Sequence, residues 1–231
     1  MTSLTQAARV LLAAHEARGG QGEGATPAQL IEALEQALAA FAALDRAHGP
    51  TGALEDEDPS TLGEYALACL SDLNLWVHWL GCSEERQWLD QATLDVADWI
   101  VRHGGQLRIL EPLVNAFAAR ANRLQAREAL AALFDAMGPF IDRVDLAIRT
   151  DPDRAAPEHP WRILLFNYAI VATRTQDPER MARAYRLMEA WLPEACPEFF
   201  EEALRQSRKP VYGDEVRTLV REYHRRWTVR H

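Results

Sequence analysis

Apolar residues recur at helical intervals along nearly the whole chain, and β-branched runs bounded by turn residues are missing. This pattern predicts helix almost throughout, in segments that glycine and proline separate. A first helix over about 4–18 ends at Gly19-Gly20. A second starts at the cap Thr26, with Pro27 in its first turn, and stops at Gly49-Pro50. The stretch 52–59 contains Glu55-Asp56-Glu57-Asp58 and reads as an acidic surface loop and a domain boundary. Beyond it the helices pair off. The segment 60–80 precedes a helix capped by Ser83 that ends at Gly104-Gly105. Next come 107–121 with 125–148, 161–175 with 178–193, and 197–208 with 214–228. Short connections inside each pair make its two helices antiparallel.

Two segments, 62–80 and 163–171, carry apolar residues on almost every face, which predicts helices enclosed by protein. The helix over 84–102 instead keeps Trp88, Leu89, Ala92, Val96, Trp99 and Ile100 on one stripe, with Asp90, Asp95 and Asp98 on the remaining surface. Alternating inner and outer helices predict a layered solenoid. A repeat supports it. Three hairpins align without gaps when their inner helices are set on Asn74, Asn115 and Asn167, each preceded by an apolar residue. Trp88, Ala129 and Met181 stand 14 residues after the anchors, and Trp99, Phe140 and Leu192 stand 25 after.

The third hairpin carries Trp161-x2-Leu164-Leu165-x2-Tyr168, with Tyr185 followed eight residues later by Pro193. Here the chain resembles the tetratricopeptide-repeat superfamily, with Leu165 where that family usually has glycine. About four extra residues separate the two helices, against a usual repeat of ~34. The other two hairpins match in hydrophobic positions only. The resemblance covers about 60–195. It implies an all-α, right-handed α/α superhelix of stacked antiparallel hairpins, whose first helices line a concave face that binds proteins or peptides.

Composition adds limits. The chain has 231 residues, 48% hydrophobic and 26% charged, with a net charge of −9. That charge opposes general affinity for nucleic acid or anionic membrane. It is uneven: residues 1–64 hold three bases against ten acids, and residues 205–231 hold eight bases against three acids. An acidic front and a basic rear provide for steering a partner or a second copy. Three widely spaced cysteines without a CxxC fit a reducing compartment, and neither a signal peptide nor a membrane span is evident. The expected location is cytoplasmic.

Candidate chemistry is sparse. The asparagines offer a ladder of amides along a groove, or else bridges between neighbouring helices. His78 and Arg120 join Asn74, Asn115 and Asn167 as groove candidates. His78 with Cys82, and Asp45 with His48, have helical spacing but lack the further ligands of a metal site, so no metal or cofactor is expected. Cys196 lies near a helix start, where dipole and amides lower a thiol pKa; a small residue at a hairpin junction is the simpler reading. Arg217, Arg221 and Arg225 form a basic stripe on the last helix, interleaved with Tyr223, His224 and Trp227. Such a stripe suits RNA or an acidic protein, or serves as the wet face of a capping helix.

Together these features predict an N-terminal helical pair over 1–50, an acidic loop over 51–59, and a helical-repeat domain with a capping helix over 60–231. The expected function is a non-enzymatic scaffold that binds a protein or peptide in a groove of inner helices. One alternative is a small-molecule binder or enzyme with a site between hairpins. Another is a binder of nucleic acid or an acidic partner through the C-terminal helix.

Overall fold

The computed structural model of the chain describes residues 2–20, 24–54 and 57–228; Glu23, Glu55, Asp56 and Arg230 of the charge pattern lie outside them. The described residues form α-helices and one 3-10 turn, with no strand among them. In chain order the helices are α1 (Thr2–Ala17), α2 (Pro27–His48), α3 (Pro59–Leu80), α4 (Arg86–Arg102), α5 (Glu111–Arg123) and α6 (Arg127–Asp142). They continue with α7 (Leu146–Arg149), α8 (Pro160–Thr175), α9 (Pro178–Trp191), α10 (Cys196–Ser207) and α11 (Asp214–Thr228). The chain divides into two compact units, Met1–Ala116 and Phe117–His231, and the division falls inside α5.

Local chemistry explains most boundaries. Thr26 closes a capping box on α2: its Oγ1 accepts from Gln29 N at 3.4 Å, and its N–H donates to Gln29 Oε1 at 2.9 Å. Gly81 ends α3 in the left-handed region, and the next amide, of Cys82, donates back to Val77 O. Three expected boundaries are corrected. Ser83 does not cap α4; residues 82–85 make a turn, with Glu85 N bonded to Cys82 O, and the helix starts at Arg86. The helix expected from 107 begins at Glu111, because Pro112 lacks an amide donor and its ring disfavours helix before it. The helix expected over 125–148 stops at Asp142, three residues after Pro139, and Asp145 caps the separate α7 by accepting from Ala147 N.

In the first unit α3 packs against α1, α2 and α4. Gly63 makes the close approach to α4 possible: a Cβ there would lie 2.1 Å from Ile100 Cγ1. Phe41 of α2 stacks on Trp99 of α4 with ring centroids 3.9 Å apart. Asp45 Oδ1 accepts from Trp99 Nε1 at 2.9 Å and lies 2.7 Å from His103 Nε2, while His103 Nδ1 lies 2.7 Å from Gly52 O. The Asp45 carboxylate is therefore held by His103 and Trp99, not paired with His48 for a metal. Asp90, expected on the surface of α4, is buried.

In the second unit α8 lies between α6 and α9, and α11 packs against α9 and α10. Phe134 stacks on Tyr168 at 4.1 Å, and Tyr185 meets Phe199, Phe200 and Tyr223 edge to face. Such pairs contribute about 0.5–1.5 kcal/mol each beyond the area they bury. Thr173 Oγ1 donates to Ala169 O, leaving the buried Tyr185 hydroxyl to donate to Thr173 Oγ1 at 2.7 Å. Arg174 reaches from α8 to the end of α5 and donates to the carbonyls of Ala121 and Leu124. No described helix is long and apolar enough to cross a membrane.

The enclosure expected for 62–80 and 163–171 is incomplete. Tyr65, Leu75 and Trp79 of α3 are 56%, 68% and 46% exposed, and Ile170 of α8 is 46% exposed. Each of these two helices buries most of its apolar residues and leaves at least one large apolar side chain in water.

Candidate functional site

On α3, Asn74 is half-buried and His78, one turn on, is exposed. Leu75 and Trp79 run alongside them at the same four-residue spacing, so an amide and an imidazole border an apolar strip. Arg18 steadies one end: its guanidinium sits 5.1 Å from the Trp79 ring centroid and donates to Trp79 O at 2.8 Å. On α8, Asn167 shares a face with Ile163 and Ile170, again at three- and four-residue spacing. Its Nδ2 is buried and has no hydrogen-bond partner. Asn115 is half-buried on α5, and Arg120 is exposed. Five residues turn a helix by about 140°, so Arg120 does not share the Asn115 face.

None of the three asparagine side chains makes a hydrogen bond to described protein atoms, so none bridges neighbouring helices. An amide held between helices would be expected to find such partners.

The basic stripe is the set that the fold visibly gathers. Arg217, Arg221 and Arg225 line one cleft of about 490 Å³ between the end of α10 and α11, together with Arg208, Ser207 and His224. Arg217 is anchored: it donates to Ser207 O at 3.2 Å and pairs with Asp214 at 3.0 Å. His224 Nε2 lies 2.8 Å from Glu201 Oε2. The inward face of α11 is as expected for a cap, with Val216, Val220 and Tyr223 buried and Leu219 and Trp227 half-buried. Sequence spacing did not reveal Arg208, because a turn after α10 brings it to the cleft, not helical periodicity.

Two further features bear on catalysis. Cys196 is fully buried and donates weakly to Leu192 O at 3.4 Å. Burial, aided by Glu189 and Glu194, pushes its thiol up to about 12, the opposite of an activated nucleophile. A second, smaller cavity of about 130 Å³ is lined by Tyr168, Arg183 and Asp142. Burial pushes the Tyr168 phenol up to about 12, so it stays a neutral donor at ordinary pH. The volume is well below the ~300 Å³ at which small-molecule sites begin. Among the described residues no group of three His, Cys, Asp or Glu is placed to hold a metal ion.

No protein-family model matches this chain, and no curated protein or solved structure matches it either.

Proposed function

We propose that the chain is a helical-repeat scaffold that holds extended peptide segments of a protein partner against the faces that bear Asn74 and Asn115 in the first unit and Asn167 in the second. The tetratricopeptide-like superhelix of stacked hairpins is part of the proposal. The observation that carries it is that the Asn74, Asn115 and Asn167 amides, at matching places in the proposed repeat, make no hydrogen bond to described protein atoms. A peptide backbone offers both a carbonyl and an N–H, the two complements of an asparagine amide. The exposed Leu75, Trp79 and Ile170 beside these amides provide apolar contact for the peptide's side chains.

The experiment selects binders from a random extended-peptide library on the full chain, then measures their affinity for Asn74→Ala, Asn115→Ala and Asn167→Ala. The expected result is about tenfold weaker binding for each variant, as for loss of a buried hydrogen bond. Selected peptides that bind all three variants as tightly as the parent would overturn the proposal.

A further inference from the structure

We infer that the cleft between α10 and α11 is a second docking site, for an extended acidic segment of a protein partner with carboxylates at alternate residues. It stands independently of the asparagine faces.

Charge comes first. The side chains of Arg208 and Arg221 make no hydrogen bond or ion pair among the described residues, and the Arg225 guanidinium bonds there only to the Arg221 carbonyl, at 3.4 Å. The contrast with nearby arginines is sharp. Arg226, the next residue along α11, pairs with Glu189 and Glu222, and Arg205 pairs with Glu202. Arg217 is neutralised by Asp214, which leaves three guanidiniums in one cleft without a carboxylate. Like charges four residues apart on a helix repel, and a bound anion relieves that repulsion.

Spacing selects the form of the anion. Arg217, Arg221 and Arg225 rise along α11 by about 6 Å per step, at 1.5 Å per residue. Alternate side chains on one face of an extended peptide are about 6.7 Å apart. Successive carboxylates of such a peptide therefore fall opposite successive guanidiniums, whose planar forks bind carboxylate oxygens in pairs. Arg221 and Arg225, the two members of the row without a carboxylate, stand about 6 Å apart along the helix axis, farther than a single phosphoryl group covers.

The aromatics decide against RNA. Single-stranded nucleic acid is held by stacking bases on exposed rings as well as by charge. Tyr223 is 4% exposed and packed on Tyr185 and Phe200, and Trp227 Nε1 is tied to Glu189 at 2.9 Å. Tyr223 and Trp227 are thus turned into the protein, and His224, the one interleaved ring that lines the cleft, is held by Glu201.

The test uses fluorescence anisotropy of a short labelled peptide of alternating Glu and Ser against the full chain at low salt. Three competitors are run beside it: an isomer with its Glu residues in one block, a uridine oligonucleotide, and tripolyphosphate. The account expects the alternating peptide to bind best, with affinity falling as salt rises. Arg221→Gln combined with Arg225→Gln is expected to weaken binding about tenfold or more. Both residues are exposed, so circular dichroism should be unchanged, and Arg186→Gln, outside the cleft, should bind as the parent does. Undiminished binding by the double variant would overturn the inference. So would equal or tighter binding of the block isomer, the oligonucleotide or tripolyphosphate.

Discussion

At the residue scale, the helix caps tie stability to pH. The Thr61 hydroxyl donates to Asp58, joined by Ser60, and holds that carboxyl below its usual range. At Asp177 burial acts in the opposite sense. It is outweighed by the Arg180 and Glu179 amides and the Arg180 guanidinium, and the carboxyl is again lowered. A carboxylate with a lowered folded pKa contributes stability above its unfolded value of 3.8, and the contribution is lost as pH falls through the folded value. The melting temperature should therefore hold level from neutral pH to about pH 5 and drop below about pH 4. Asp177→Asn keeps a good cap but removes the titration, so it should flatten the acid limb. An acid limb as steep as the parent's would contradict this account of Asp177. At Asn167 the stability effect runs the other way from binding. With no partner for its buried Nδ2, Asn167→Leu should leave the melting temperature unchanged or raise it. A clear fall would mean that the amide holds the fold together.

At the element scale, caps and breakers were legible, and the limits of sequence reading have physical causes. Thr26 with Gln29, Gly81, and the start of α11 at Asp214 were fixed by local chemistry that sequence displays. The starts of α4 and α5 and the end of α6 were not. At 82–85 Ser83 offers a cap that the backbone does not use, an apolar rhythm continues through Pro112 and Pro139, and only the backbone bonds show where helix starts and stops. Helix contacts bring a further prediction. Gly63→Ala gains helix propensity of about 1 kcal/mol. The new Cβ would overlap Ile100, which is itself buried and cannot swing away. Overpacking of this kind costs about 1–3 kcal/mol, so the clash should outweigh the gain and the melting temperature should fall. Ile100→Ala in the same chain removes the overlapping atoms, and the double variant should lose less than the two single losses added together. A rise in melting temperature for Gly63→Ala alone would contradict the packing described here.

At the scale of the whole molecule, periodicity found the three asparagines, and charge counting found the stripe on α11. Neither reported which apolar strips remain uncovered, because Tyr65 and Leu75 look as buried in sequence as Leu67 and Leu70 do. Neither reported that Arg208 completes the cleft, since that depends on the path of the turn after α10. Enclosure is a property of neighbours, and neighbours far apart in sequence leave no local mark. The proposed scaffold rests on amides that the fold holds ready and does not use. The most direct measurement is the NMR spectrum of the asparagine side-chain amides before and after saturation with a library-selected peptide. The account predicts that the side-chain signals of Asn74, Asn115 and Asn167 all shift. Signals that stay in place while the peptide is fully bound would contradict it.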